Sequence, residues 1–265
     1  MKINAGLASL IIVLSGWATF TLLLINGAIN IAGATSQTIA NTPIYTFKPV
    51  VINLSNTDTT LTISSYSLLK TGREWSYVSK SQGIDTSFVP PLTDLRADYA
   101  NWLEDKRIQP LVQPYLESFI QAAREAGVPV LISSAYRSAT SQEKVITEMA
   151  DKGASATDIE EYVAKPGHSE HQLGLAVDLT SYSESCKADF AVCRLDQKTA
   201  DWLAEHAHEY GFILRYPKGK ENITGVGHES WHFRYVGKKL ANAIHQSGLT
   251  FDEVYAEIVR HRNAN

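Results

Sequence analysis

Ser169-Glu170-His171-Gln172-Leu173-Gly174-Leu175-Ala176-Val177-Asp178 is the stretch on which the reading of this chain turns. Its second half, running on to Leu179, has the continuous apolar character of a short buried strand, so Asp178 falls near a strand end. Gly174 lies between Asp178 and His171 and permits the bend that two residues seven apart need to face one pocket. Upstream, 128–132 (VPVLI) reads as another buried strand, ending at Ser134-Ala135-Tyr136-Arg137-Ser138. Before it, Leu111, Tyr115, Phe119, Ala122 and Ala126 recur at helical spacing, with Gly127 as the stop. Further helices are predicted near 141–151 and 156–163. Downstream, 197–210 reads as a helix stopped by Gly211, 212–216 and 231–236 as strands, and 238–247 and 251–259 as closing helices. Helices mixed with short strands joined by turns define an α+β class, a small mixed or antiparallel sheet with flanking helices.

The charge balance excludes some functions. Among 265 residues, 24 Lys and Arg stand against 28 Asp and Glu, a formal net charge of −4. A dedicated nucleic-acid binder would carry a basic excess, so no nucleic-acid partner is expected. With 20% charged and 9% aromatic residues, the chain is not a disordered or low-complexity one. Two cysteines are too few for a four-Cys zinc site.

The distribution of charge along the chain is more informative. After Lys2 no charged residue occurs until Lys48, and 5–25 (AGLASLIIVLSGWATFTLLLI) is uncharged and mostly apolar. As a helix it is long enough to cross a hydrocarbon core of about 30 Å. The sequence therefore predicts a membrane-spanning signal-anchor within 1–32, a single pass through the cell membrane with the remainder exported. Ala32-Gly33-Ala34 has the small-residue look of a cleavage site, which leaves a secreted or periplasmic form as the alternative. Residues 33–80, rich in Ser, Thr and Asn at their start, read as a spacer with one short strand around 45–54. Residues 81–265 form the working domain, for which a monomer is expected. In an exported compartment Cys186 and Cys193 are expected to form a disulfide, two free thiols being the alternative.

The reactive residue types concentrate in three blocks: 134–138, 169–178 and 229–235 (ESWHFRY). His171, Asp178 and His232 offer two imidazoles and a carboxylate, a donor set suited to a catalytic Zn2+ that keeps one position for water. Glu229 can act as general base. Three residues before His232, it would point to the opposite face of a straight strand, so it is expected in the loop ahead of that strand. Arg137 can hold a developing oxyanion or a substrate carboxylate through its planar fork. Such a set performs metal-assisted amide hydrolysis. His168 and His228 are rival ligands, whereas His206 and His208, two apart on a predicted helix, are read as solvated. A serine peptidase is disfavoured, since no serine has the Gly-x-Ser-x-Gly setting of one.

Tyr136-Arg137-Ser138, the Ser-x-His-x-x-Gly-x-Ala-x-Asp pattern of 169–178 and the Glu-x-Trp-His-x-Arg-Tyr pattern of 229–235 resemble the VanY-type D-alanyl-D-alanine carboxypeptidases. These belong with the lysostaphin-type peptidases and hedgehog domains. The resemblance covers about 111–237 and implies a zinc cleft with His171, Asp178 and His232 as ligands and Glu229 as base. It also implies that Arg137 polarises the scissile carbonyl or holds the peptide, that Ser169, Gln142 and Tyr136 bind substrate, and that Trp231 supports the site. Ala135 and Ser230 stand where the family usually has Gly and often Pro; neither change removes a functional atom. The implied substrate is the peptidoglycan stem peptide, trimmed of its C-terminal D-Ala. An L,D-carboxypeptidase, a D,D-endopeptidase and a non-catalytic wall-binding domain are the alternatives.

Overall fold

A computed structural model describes residues 11–14, 18–25, 28–31, 49–100, 103–188 and 193–264. The chain divides into two compact units, 1–46 and 47–265. In the first, β1 (Ile11–Leu14), β2 (Ala18–Ile25) and β3 (Ala28–Ile31) form an antiparallel sheet in the order β1-β2-β3. This differs from the helix expected for the apolar stretch. Among the described residues no helix is long and apolar enough to cross a membrane. The strands are rich in Ile, which favours extended backbone. The sequence between β2 and β3 is Asn26-Gly27, the pair that most favours a tight hairpin. The rest of the expected anchor, its cleavage site and the start of the spacer lie outside the described residues.

The second unit begins with the hairpin β4 (Val50–Asn53) and β5 (Thr60–Ile63). There follow the two-residue strand β6 (Thr93–Asp94), the single turn α1 (Ala97–Ala100), β7 (Arg107–Ile108) and α2 (Gln113–Glu125). Next come β8 (Val130–Ser134), α3 (Ala139–Asp151), α4 (Ala156–Tyr162), β9 (Ala176–Ser181), α5 (Glu184–Ala188) and α6 (Gln197–His206). The chain closes with β10 (Phe212–Tyr216), α7 (Glu221–Thr224), β11 (Glu229–Tyr235), α8 (Lys238–Ser247) and α9 (Phe251–Ala264). The central sheet has the order β10-β11-β9-β8, and every neighbouring pair is antiparallel. The α+β class with a small antiparallel sheet is thus the observed one.

Two apolar cores hold this unit. In the first, Leu116, Phe119, Ile120 and Ala123 of α2 pack with Val130, Ile132, Val177, Leu179 and Phe233 of the sheet. Val177 and Leu179 alternate with Asp178, so the strand that feeds the core also delivers a carboxylate to the other face. In the second core, Ile52, Leu54, Leu61 and Ile63 of the first hairpin meet Trp75, α8 and α9. Trp75 also donates Nε1–H to the Val236 carbonyl at 3.0 Å.

That second core corrects the spacer expected over 33–80: from Val50 onward the segment is part of the folded domain. Asn53, Ser55, Asn56, Thr60 and Ser64 of the hairpin are exposed. The apolar residues between them alternate with period two, which buries Ile52, Leu61 and Ile63 on one face. The short strand expected around 45–54 is β4.

Candidate active site

Asp178 and His232 are register partners on the adjacent antiparallel strands β9 and β11. Their neighbours Val177 and Phe233, also partners, face the α2 core, so strand alternation turns Asp178 and His232 together to the opposite face. His171 arrives from a single 3-10 turn, Glu170–Leu173, that leads into β9. Gly174 ends that turn in the left-handed conformation at φ 64°, where a Cβ would lie 3.1 Å from Gln109 Cγ. The bend anticipated between His171 and Asp178 is this glycine.

Glu229 is the first residue of β11, not part of a preceding loop as the sequence suggested. The pairing with β10 is irregular across this stretch, so simple alternation does not carry from His232 to Glu229. Tyr216 pairs with Glu229 and Leu214 with Phe233, so a two-residue step in β10 faces a four-residue step in β11. A bulge of this kind re-aims a side chain without ending the strand. A second register shift, between Ile132 and Ser134 of β8, precedes Arg137.

The three proposed ligands converge. His171 Nε2 lies 3.3 Å from Asp178 Oδ2, His232 Nδ1 lies 3.1 Å from Asp178 Oδ1, and the two imidazoles stand perpendicular. One ligand atom from each falls within 4.8 Å of the others. Among the described residues His171 Nε2 and Asp178 Oδ1 are buried and have no hydrogen-bond partner, a costly state for polar atoms unless a cation meets them. His171 donates Nδ1–H to the Ala135 carbonyl at 2.6 Å, which leaves the Nε2 lone pair for a metal. Two imidazoles and a carboxylate of this kind fit a divalent ion such as zinc.

The rival histidines are occupied elsewhere. His168 donates to the Ser79 carbonyl at 2.8 Å and packs against Gly83, fastening the 79–88 segment to the domain. His228 donates to the Tyr216 carbonyl at 2.9 Å. His206 pairs with Glu209, but His208, read as solvated, stacks on His245 with ring centroids 3.7 Å apart.

Glu229 Oε2 lies 3.6 Å from His232 Nδ1. Burial, reinforced by Asp178, pushes the Glu229 carboxyl up to about 7, against the opposing pull of His232 and Arg137. A carboxyl poised there can take and return a proton near neutrality. Burial lowers the Arg137 guanidinium, while the Asp178 and Glu229 carboxylates favour its charged form. Its Nε is buried without a partner among the described residues. Burial alone would raise the Asp178 carboxyl, but the two histidines outweigh it and hold it well below the carboxylate range.

These groups open into a pocket of about 410 Å³. Ser169 and Gln142 line it, both buried; Gln142 donates to the Ala164 carbonyl at 2.7 Å and leaves its Oε1 unpartnered. Trp231 also lines the pocket and is 39% exposed. Tyr136 does not line this pocket. It borders a neighbouring cavity that shares Arg137 and Val145, with the Arg107 guanidinium over its ring. Cys186 and Cys193 form the expected disulfide.

Sequence reasoning missed Glu170. It is fully buried beside His232, where Arg215 and Arg234 reach it at 2.9 and 2.8 Å. Burial would raise its carboxyl, but Arg234 and Arg215 outweigh that and hold it well below the usual range. Three charged residues spread over 65 positions carry no local pattern, and Glu170 sits among polar neighbours, Ser169, His171 and Gln172, that give no sign of its burial.

Fold and site together define a candidate metal centre of the His–Asp–His type with an adjacent carboxylate. Residues 105–238 match the family described as "VanY: D-alanyl-D-alanine carboxypeptidase". A D-alanyl-D-alanine carboxypeptidase of Enterococcus faecalis is 34% identical over 189 residues, 68% of this chain and 66% of that protein, so the match spans just under two thirds of the relative's length. Two solved structures are similar. One is a vancomycin-resistance D,D-pentapeptidase VanY from a VanB-type cassette in complex with Zn(II), at 33% identity, TM-score 0.56, covering 69% of this chain and 98% of that one. The other is the LdcB LD-carboxypeptidase, at 30% identity, TM-score 0.60, covering 71% and 87%. This chain belongs to the VanY family of D-alanyl-D-alanine carboxypeptidases.

Proposed function

We propose that this protein is a zinc-dependent carboxypeptidase that removes the C-terminal D-Ala from peptidoglycan stem peptides. The observation that carries the reading is the convergence of His171, Asp178 and His232, with two buried atoms lacking protein partners, beside the raised carboxyl of Glu229. His171, Asp178 and His232 would hold zinc, which when bound would supply Lewis acidity and lower the pKa of water toward neutrality. Glu229 takes the proton from the attacking water and returns it to the leaving amine. Arg137 holds the oxygen that gains charge at the scissile carbonyl. Ser169 and the free Oε1 of Gln142 position the peptide.

The location we propose is extracytoplasmic, reached by export through the N-terminal apolar stretch. The Cys186–Cys193 disulfide supports it, because such bonds persist in oxidising compartments. There the domain meets its substrate.

The deciding experiment incubates the zinc-loaded protein with muropeptides of defined stem length and weighs the products. Loss of one D-Ala from a pentapeptide stem, with tetrapeptide stems left intact, is the expected result. Trimming of tetrapeptides would instead establish the L,D reading, cleavage of cross-bridged dimers the endopeptidase one, and intact substrates throughout a binding domain.

A further inference from the structure

We infer that Glu170 is a positioning residue of the metal site: its carboxylate accepts the Nε2–H of His232 and thereby commits Nδ1 of that ring to the metal. The inference rests on the metal reading above and adds to it a residue without which the histidine's orientation is undetermined. Glu170 Oε2 lies 3.4 Å from His232 Nε2, on the opposite side of the imidazole from Asp178, whose Oδ1 faces Nδ1. A neutral imidazole keeps one proton, and the partner of one nitrogen decides which lone pair the other presents. A carboxylate at Nε2 can only accept, so Nδ1 is the nitrogen left to coordinate.

What makes this more than a nearby charge is the way Glu170 is held. Its Oε1 accepts Arg215 Nε at 2.9 Å and Arg234 Nη1 at 2.8 Å, and all three side chains are buried. One carboxylate oxygen is thus saturated by two guanidiniums, and the other is left for the ring. The guanidiniums are tethered in turn. Arg215 is fastened to Asp252 of α9, and Arg234 donates to the Ser76 carbonyl at 2.6 Å and the Glu74 carbonyl at 3.2 Å. The 3-10 turn that supplies His171 as a ligand therefore also orients the second histidine through the preceding residue. A cluster serving stability alone would not need its second oxygen aimed at the far nitrogen of a ligand.

The test uses the full chain loaded with zinc. In a long-range proton–nitrogen spectrum of the wild-type protein, His232 is expected to show a metal-bound Nδ1 and a protonated Nε2; coordination through Nε2 would overturn the inference while leaving the metal reading intact. Failure of the wild type to take up zinc would overturn both. Zinc affinity is then measured by competition with a chromophoric chelator for Glu170→Gln and for Glu170→Asp, which keeps the charge facing Arg215 and Arg234 but draws the acceptor back from the ring. The expected loss is about 10–100-fold in either variant that folds. Wild-type zinc affinity in a folded variant would also overturn the inference, since a purely structural residue would change the unfolding midpoint and not the affinity.

Discussion

Asp178 Oδ1 and His232 Nδ1 lie 3.1 Å apart, because their residues are register partners on neighbouring strands and share the face that points away from the apolar core. Two of the proposed metal ligands are thereby placed by sheet geometry alone, with no loop between them to move. His171 and Glu229 are then added by a glycine-terminated turn and a strand irregularity. A site built on sheet positions is held more firmly than one on loops.

Glu229→Gln removes the group that exchanges protons but none of the ligands. Turnover is expected to fall by about 10²–10⁴-fold, with zinc content by metal analysis unchanged. Normal turnover would place the general base on another residue.

Arg137→Lys keeps the charge and loses the fork. The buried setting of Arg137 near Asp178 and Glu229 gives a point ammonium no way to reproduce two parallel contacts. A fall of about 10²-fold in kcat/KM is expected, and near-wild-type kinetics would exclude the clamp.

Chelation is expected to abolish hydrolysis and zinc to restore it. The same cycle should move the unfolding midpoint, since a ligand bound to the native state at about 100 times its Kd stabilises by about 2.7 kcal/mol. Activity that survives thorough metal removal would refute the mechanism.

Asp252→Ala tests the anchorage of the buried arginines at a distance from the chemistry. Arg215 would keep Glu170 and lose its second anion, and Tyr77 would lose its acceptor at 2.6 Å. The expected cost is about 3 kcal/mol, a fall in midpoint on the order of 6–12 °C for a domain of this size. Calorimetry that finds no change would show that the contact contributes nothing net.

Asp196 caps α6, accepting from the Thr199 backbone N–H at 3.0 Å and from the Ser181 and Thr199 hydroxyls. Those bonds, Ser181's above all, pull its carboxyl down to about 2. A carboxyl depressed in the folded state stabilises above its unfolded pKa and loses that contribution as pH falls through the folded one. Asp196→Ala should therefore cost about 1 kcal/mol at neutral pH, and the gap from wild type in denaturant titrations should narrow between about pH 4 and pH 2. A gap that stays constant across that range would rule out the ionised cap.

Much of the site could be read from residue order. The 169–178 and 229–235 blocks carry ligands and base at short separations, and the apolar strand runs beside them are local patterns. The helices α2, α3, α4 and α8 were legible as well, α2 from the helical spacing that ends at Gly127. The hairpin of β4 and β5 was harder to see, because its polar turn and solvent-facing residues outnumber the few apolar positions that anchor it. Tyr136 was misplaced because adjacency to Arg137 in sequence does not settle which cavity a side chain enters.

The chain's order of residues by itself determined which groups carry the chemistry, since metal ligands and a general base are matters of residue type, and three short motifs supply them all. Tertiary structure alone decided how those groups are aimed. The irregular pairing of β10 with β11 beside Glu229, the Ala135 carbonyl that sets the His171 tautomer, and the ion cluster linking Glu170 with Arg215, Arg234 and Asp252 all depend on pairing between distant segments. Hydrogen bonds and ion pairs across such separations leave no periodicity in the sequence, because their strength comes from burial, and burial exists only once the chain has folded.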